Sequence, residues 1–325
     1  MIAIINHHYI RKDFNNKYDS IFGITPFLFE KKLLFYMKNY NLISQNELVE
    51  SINNQDIKND KSVLLTFDDG LKEQYKLAFP ILKKHKVNAV FFINTSPLVE
   101  KKVLPVHKIH IFRSMFAPEI ILNELINYTN VLGKTIDEDK LLIKATQHYK
   151  YDQPFIAKIK YKLNFILNED ELDAFSTYVF NDLCKLNEEF VNDELYMNST
   201  EVSDLGKVDM IGSHSHNHIP LGLYNDETQQ FNIRKSKEIL ENIIGNKVLG
   251  FSYPYGNEIS VNGLHKNLQN EGYHYAVTTE RAINLDLSNK FYLSRLDNND
   301  TTFGKSYLNS DHDFFNSYKQ SKWKF

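Results

Sequence analysis

The sequence predicts an α/β protein built from parallel β/α units, and three observations indicate this class. An apolar run at Ser62–Gly70 (SVLLTFDDG) ends in two adjacent carboxylates and a glycine, as a buried strand entering a turn does. A helical pattern over Lys72–His85 separates this run from a second apolar run, Val87–Asn94 (VNAVFFIN). A strand, a helix and a strand in this order are typical of parallel sheets, whose rims carry the chemistry of α/β folds.

The remaining elements follow the same pattern towards both ends of the chain. Further strands are predicted at Ile2–Ile5, Asn41–Ile43, Val208–Ile211, Val248–Ser252, Ala276–Thr279 and Phe291–Leu293. Further helices are predicted after Thr25-Pro26, where proline suits a first turn, and over Ser44–Ile52, Asp226–Ile244, Asn262–Glu271 and Asp311–Gln320. Pro80 must bend or interrupt the helix over Lys72–His85.

A long helical segment interrupts the β/α pattern. Between Pro105 and about Met197, helical patterns follow one another with Gly133 as the only glycine. We therefore expect a β/α domain formed by residues 1–104 and 199–325 and a helical insertion over residues 105–198. The insertion is interpreted as a scaffold, a dimerisation surface or a cap over the site. Its first turn, around His107, is the part expected nearest the chemistry.

Composition and charge describe an ordinary globular protein. The 325 residues are 42% hydrophobic and 24% charged, which supplies a sizeable core. The net charge of −3 argues against nucleic acid as a polyanionic partner. The single cysteine, Cys184, has no partner for an internal disulfide and is expected to be a semi-buried structural thiol. The N-terminal stretch has no basic region or cleavage site and no segment reaches membrane-spanning length, so a cytoplasmic location is expected.

Two histidines follow the strand predicted at Val208–Ile211. His214 and His218 are four residues apart, so they converge either on one helical turn or in a tight loop. Two imidazoles and one carboxylate are a recurrent arrangement for a divalent metal ion in hydrolysis. A strand-end aspartate is a natural third ligand, and a second aspartate off the metal can accept a proton from water. The alternatives are a solvated Asp-Asp-Gly turn and a His-rich surface turn. His216 alternates away from the pair and is assigned a secondary role.

Three motifs carry a resemblance to a known family. TFDDG at Thr66–Gly70, GSHSHNH at Gly212–His218 and FSYPYG at Phe251–Gly256 resemble, in order, the first three motifs of the polysaccharide deacetylase family (NodB-homology domain, carbohydrate esterase family 4). The resemblance covers about Met1–Val99 and Ser199–Asp300. It implies a distorted (β/α) barrel, with the long helical insertion lying outside the family pattern.

The resemblance also implies roles for individual residues. Asp68 would be the general base, and the ligands of one divalent ion would be Asp69, His214 and His218. Zinc is the foremost expectation, with nickel, cobalt and manganese as alternatives. Substrate-binding positions are expected at Tyr253, Pro254 and Tyr255, which would form one wall of the groove, and at His107. A backbone N–H after either turn is a hypothesis for holding the oxyanion.

The sequence departs from the family pattern in two places. Many members carry an arginine two residues before the proline of the third motif, where Ser252 stands here. A branch with a YPYG-type motif resembles this chain better, and Arg295 is the candidate for the missing cation. The late Leu-x-His motif that supplies a general acid is also absent. His8, after the first strand, is the first candidate for that acid and His107 the second, and a polar rim is the other interpretation of His8.

The sequence therefore predicts a metal-dependent hydrolase that removes an acetyl group from an N- or O-acylated sugar. A nucleotide-linked or lipid-linked precursor of a surface glycan fits a cytoplasmic enzyme best. One alternative is hydrolysis of a C–N bond in a non-sugar amide or cyclic ureide. The other is a sugar-binding protein without catalysis, although binding alone needs no base beside a metal. The oligomeric state is left open.

Overall fold

A computed structural model describes residues 1–18, 20–57, 60–149, 152–304, 314–318 and 323 of the chain. The chain divides into two compact units. The first unit consists of Met1–Asp13, Gly23–Lys101 and Asn192–Phe325, and the second of Phe14–Phe22 and Lys102–Val191.

The first unit is organised around a parallel sheet. Its strands are β1 (Ile2–His7), β2 (Tyr9–Ile10), β3 (Gly23–Ile24), β4 (Asn41–Leu42), β5 (Ser62–Phe67), β6 (Val90–Ile93), β7 (Ile211–Ser213), β8 (Gly250–Ser252), β9 (Tyr275–Val277) and β10 (Leu296–Asp297). The order in the sheet is β10-β1-β5-β6-β7-β8-β9, with β4 beside β5, while β2 and β3 form a separate pair. All of these pairings are parallel, and the curled sheet confirms the predicted α/β fold of the distorted barrel type.

Some helices flank this sheet within the first unit, and others make up the second unit. They are α1 (Pro26–Asn39), α2 (Gln45–Asn54), α3 (Phe79–His85), α4 (Ser96–Glu100), α5 (Pro105–Met115), α6 (Pro118–Val131), α7 (Glu138–His148), α8 (Pro154–Tyr161), α9 (Glu169–Tyr178), α10 (Glu188–Leu195), α11 (Ser199–Gly206), α12 (Asp226–Ile244), α13 (Glu258–Val261) and α14 (His265–Asn270). Within the described residues, no helix is both long enough and apolar enough to cross a membrane.

Proline positions explain two helix starts. Thr25 caps α1 by accepting a hydrogen bond from the Leu28 N–H at 3.3 Å, and Pro26 occupies the first turn, as predicted. Pro80 lies in the first turn of α3, where its missing N–H is tolerated. The chain before it, Gln74–Ala78, is a wider π-helical turn, so the predicted interruption falls there.

The core of the first unit lies on both faces of the central strands. Every residue of β1 and β5 is buried, which is typical of parallel strands covered on both sides. Phe67 of β5 and Phe91 of β6 stack with ring centroids 4.6 Å apart. This packing holds the carboxyl end of β5 rigidly, and the Asp-Asp-Gly turn begins there.

The second unit has its own apolar core. Its buried members include Phe112, Leu125, Ile159 and Phe175, on helices α5, α6, α8 and α9. Cys184 is buried in the same cluster, and this burial raises the pKa of its thiol to about 11. The prediction of a structural thiol is confirmed.

Some predicted elements near the C-terminal end of the sheet are wrong or displaced. The strand at Phe291–Leu293 is wrong, because the Tyr292 N–H closes a turn onto the Asn289 carbonyl at 2.8 Å. Leu293 makes only an isolated bridge to Val277, and the strand proper is β10. Of the helix predicted at Asp311–Gln320, Phe314–Asn316 forms a 3₁₀ turn. Residues 311–313 and 319–320 lie outside the described residues.

The strand predicted at Val208–Ile211 begins later than expected. Asp209 has φ 55°, and the Met210 N–H donates to the Leu205 carbonyl at 3.1 Å. These residues therefore complete the end of α11, and β7 starts at Ile211.

Candidate active site

The two carboxylates follow β5 in a turn that uses left-handed backbone conformations. Asp69 has φ 77° and Gly70 has φ 66°. A Cβ atom on Gly70 would lie 3.2 Å from the side chain of Ile93, so glycine suits both the conformation and the space. Aspartate is one of the few other residues that adopts positive φ readily. The turn leaves Asp68 and Asp69 adjacent and buried at the carboxyl edge of the sheet.

The histidine pair comes from the tight loop after β7. Ser215 has φ 63° and His218 has φ 56°, so this segment is not a helical turn. The Ser215 Oγ accepts a hydrogen bond from the His218 N–H at 3.1 Å, which closes the loop. The Asn217 N–H donates to the Asn232 side chain on α12 at 3.0 Å. Of the two geometries left open by the spacing, the structure has the loop.

Asp69, His214 and His218 form a cluster suited to a metal ion. Asp69 Oδ1 lies 3.6 Å from His214 Nε2 and 3.5 Å from His218 Nε2. Ligand atoms from the three residues all lie within 4.8 Å of one another. A tetrahedral zinc ion with bonds near 2.0–2.1 Å separates its ligand atoms by about 3.3 Å. The donor set and its spacing therefore fit a zinc-like ion with an open position.

A backbone contact fixes the tautomer of His214. Its Nδ1 lies 2.7 Å from the Ser252 carbonyl oxygen, which can only accept a hydrogen bond. Nδ1 therefore carries the proton, and the Nε2 lone pair faces Asp69. Histidine ligands of metal ions are commonly oriented by a hydrogen bond of this kind.

His216 lies apart from the ligand cluster. Its Nδ1 is 2.8 Å from Thr95 Oγ1 and its Nε2 is 3.1 Å from Glu100 Oε1. Burial lowers its pKa, and Glu100 opposes that shift. These contacts connect the histidine loop to the segment after β6, in agreement with the secondary role that the sequence suggests.

Arg295 forms a bidentate ion pair with Asp68. Nη1 donates to Oδ1 at 2.9 Å, Nη2 lies 2.8 Å from Oδ2, and Nε donates to the Thr278 carbonyl at 2.8 Å. Arg295 is only 2% exposed. Burial alone would raise the pKa of Asp68, but Arg295 and His214 outweigh it and lower the pKa to about 2. Asp68 is thus an ionised carboxylate, and its Oδ2 lies 4.0 Å from His214 Nε2.

Two residues that sequence reasoning missed also contact Asp68. Asn6 on β1 donates from Nδ2 to Asp68 Oδ2 at 3.2 Å. Gln74 donates from Nε2 to the backbone carbonyls of Asp68, at 2.6 Å, and of His8, at 2.9 Å. The sequence signal for Asn6 is its place in the polar stretch at the end of the first strand, before His7 and His8.

The two candidate acids lie in different units. His8 follows β1 in the first unit, and its charge contributes to lowering the pKa of Asp68, so it lies within electrostatic range of that carboxylate. His107 lies on α5 in the second unit, 1% exposed, with its ring 6.0 Å from that of His110. The approach of His107 to the site stays a prediction.

The tyrosines of the third motif differ in burial. Tyr255 is 38% exposed, and its ring lies 5.2 Å from that of His218. Tyr253 is 1% exposed and donates from its hydroxyl to the Phe291 carbonyl at 2.8 Å. Pro254 is also buried. The Tyr253 ring belongs to the core, and Tyr255 is the aromatic side chain at the surface beside His218. Substrate contacts by Tyr253, Pro254 and Tyr255 stay predictions.

Comparisons with known proteins agree with this geometry. The family model described as polysaccharide deacetylase matches residues 55–124 and 177–276, just over half of the chain. None of the curated proteins matches the sequence.

Solved structures share the fold. The Streptococcus pyogenes deacetylase PplD in complex with acetate is 17% identical, with 91% of both chains covered and a TM-score of 0.54. The de-N-acetylase from Aggregatibacter actinomycetemcomitans is 16% identical, with 91% of this chain and 94% of that chain covered and a TM-score of 0.54. IcaB from Ammonifex degensii is 13% identical, with 91% and 90% covered and a TM-score of 0.51. The placement in a YPYG-type branch stays a prediction. With the family model matched across both motif-bearing segments, the chain belongs to the polysaccharide deacetylase family.

Proposed function

We propose that this protein hydrolyses an acetyl group from an acylated sugar by metal-dependent catalysis. One observation carries the proposal: the aspartate–histidine ligand cluster lies directly beside an ionised aspartate that is not part of it. A binding protein has no need for a buried base next to a metal site, so this arrangement favours hydrolysis over binding alone.

The chain's own residues divide the reaction between them. Asp69, His214 and His218 would hold one divalent ion, zinc foremost, which when bound polarises a carbonyl group and acidifies water. Asp68 accepts a proton as water adds to the acetyl carbon. The bond from that carbon to the sugar nitrogen or oxygen then breaks, and acetate leaves. His8, which lies within electrostatic range of Asp68, is the candidate that returns a proton to the leaving sugar atom.

Substrate class and location are part of the same proposal. The acetate in the Streptococcus pyogenes structure and the de-N-acetylase among the similar folds support an acetylated sugar as substrate. We propose a nucleotide-linked or lipid-linked precursor of a surface glycan, met in the cytoplasm, rather than a mature polymer. The helical insertion is proposed as a cap that favours a small or terminal sugar.

Acetate release provides the test. The protein, reconstituted with zinc, is assayed on a panel of acetylated UDP-sugars and chitooligosaccharides, with Asp68→Asn as the inactive comparison. We expect release from at least one sugar substrate and a loss of about 10³-fold or more in Asp68→Asn, the scale of removing an acid–base group. Full activity in that variant would contradict the assignment of Asp68 as the base. A protein that binds no metal after reconstitution would contradict the proposal of a metalloenzyme.

A further inference from the structure

We propose that Asn6 is a positioning residue that orients Oδ2 of Asp68 towards the reacting water. This inference rests on the proposed function, because it assigns Asp68 as the proton acceptor. Asn6 is 5% exposed and lies on β1, in register with Thr66 of β5 and Asp297 of β10. It therefore reaches Asp68 from a neighbouring strand.

The arginine donates a hydrogen bond to only one carboxylate oxygen of Asp68. Arg295 Nη1 donates to Oδ1 at 2.9 Å, whereas Nη2 lies 2.8 Å from Oδ2 without the geometry of a hydrogen bond. Asn6 donates to Oδ2 only, at 3.2 Å. Oδ2 is also the oxygen 4.0 Å from His214 Nε2. The amide therefore adds a hydrogen bond on the other oxygen, and the two hydrogen bonds together fix the carboxylate in a single orientation relative to the ligand cluster.

The orientation of the amide follows from the charge of its partner. An ionised carboxylate only accepts hydrogen bonds, so Nδ2 and not Oδ1 must face Asp68. Within the described residues, Asn6 Oδ1 is then a buried acceptor without a hydrogen-bond partner. Such an atom lowers the stability of the fold. The hydrogen bond from Nδ2 to Asp68 explains why an asparagine occupies this buried position, because an apolar side chain could not donate it.

An isosteric substitution separates this role from a structural one. Asn6→Leu keeps the branched shape and removes both polar atoms, including the unsatisfied one. We expect a folded protein with wild-type zinc content and a melting temperature equal to or above that of the wild type. Its kcat should fall about tenfold or more while KM changes less than about twofold, because only the proton acceptor is misplaced.

The matched control is Thr66→Val, in the facing register position. The Thr66 hydroxyl is equally buried but donates to the Ile5 carbonyl, at 3.0 Å, and not to the Asp68 side chain. Its kcat should stay within about twofold of the wild type. In the Asp68→Asn background, Asn6→Leu should have no further effect on the residual rate, because Asn6 acts through Asp68.

Two results would overturn the inference. One is an unchanged kcat in Asn6→Leu. The other is that Asn6→Leu lowers the rate by the same factor in the wild type and in Asp68→Asn. A crystal structure of Asn6→Leu gives a readout independent of activity. The Asp68 carboxylate should turn relative to the wild-type protein crystallised under the same conditions, and an unchanged carboxylate contradicts the proposal. If the wild type releases no acetate, the proposed function fails on its own, and this structural comparison still decides the role of Asn6.

Discussion

Arg295 contacts both carboxylate oxygens of Asp68, although the two residues are 227 positions apart in the sequence. Both side chains are buried, so their charges interact where water screens them little. The pair therefore holds the carboxylate ionised, and it also makes the fold depend on each partner.

Removing this arginine should affect stability and catalysis together. Arg295→Ala leaves a buried carboxylate without its cation, and we expect a loss of about 3–5 kcal/mol in the free energy of unfolding, measured by urea denaturation. Arg295→Lys keeps the charge but not the bidentate geometry, and should lower kcat by about tenfold or more in a folded protein. Arg281→Lys is the control, because Arg281 pairs with Asp300 from an exposed position. An equally large loss of activity in that control would contradict the prediction.

Metal binding should depend on the ligand histidines and not on the histidine between them. His218→Ala should hold well under half of the metal found in the reconstituted wild type, as measured by elemental analysis. His216→Asn in the same loop should keep its metal, since His216 contacts Thr95 and Glu100 instead. Chelation should lower the melting temperature of the wild type and not that of His218→Ala. Equal metal loss in both variants would mean that the ligand set is misassigned.

Burial of His7 predicts an acid-sensitive fold. Its ring stacks on Phe67, with centroids 5.0 Å apart, and burial lowers its pKa from 6.5 to about 4. The unfolded chain therefore binds a proton at higher pH than the folded chain does. The contribution of His7 is fully present above pH 6.5 and is lost as pH falls towards 4, by about 3 kcal/mol in all.

His7→Phe tests this assignment. The free energy of unfolding of wild type and variant is measured between pH 7.5 and pH 4.5. Phenylalanine keeps an aromatic ring beside Phe67 and Phe29 and removes the titrating group, so the variant should lose less stability over this range. Parallel curves for the two proteins would show that another group causes the acid sensitivity.

Substitutions of the two tyrosines of the third motif should affect different quantities, KM for Tyr255 and the free energy of unfolding for Tyr253. Tyr255→Ala should raise KM with little change in melting temperature, because the ring is at the surface beside His218. Tyr253→Phe should lower the free energy of unfolding by about 1 kcal/mol, since it removes the hydrogen bond to the Phe291 carbonyl, and should leave KM unchanged. The reverse pattern would assign the substrate contact to Tyr253 and not to Tyr255.

The sequence predicted the fold class and the ligand cluster because both depend on local patterns. A buried strand ending in Asp-Asp-Gly and a second ending in a histidine loop must bring their side chains to one edge of a parallel sheet. The spacing of His214 and His218 then limits them to one face or one loop. No long-range information is needed for either step.

The contacts that hold Asp68 required the register of the sheet. Asn6 appears in the sequence as one polar residue in Asn-His-His, and only the pairing of β1 with β5 places it beside Asp68. Tyr253 and Tyr255 are the same residue type, so residue type alone does not distinguish them. The path of the chain after β8 decides which one is buried. The strand predicted at Phe291–Leu293 failed because aromatic composition does not reveal the turn that Tyr292 closes.

The pairing of β1 with β10 has a consequence for protein synthesis. Leu296 and Asp297 lie against Ile5 and Asn6, so the first and last strands among the described residues, β1 and β10, are neighbours. A nascent chain carries Asp68 outside the ribosome long before Arg295 is translated. Until then the Asp68 carboxylate lacks the Arg295 guanidinium. Burying the unpaired charge would cost free energy, so this segment stays exposed to water. The first unit should therefore close over Asp68 only as β10 joins, and truncation before Arg295 should yield a chain that proteases digest readily.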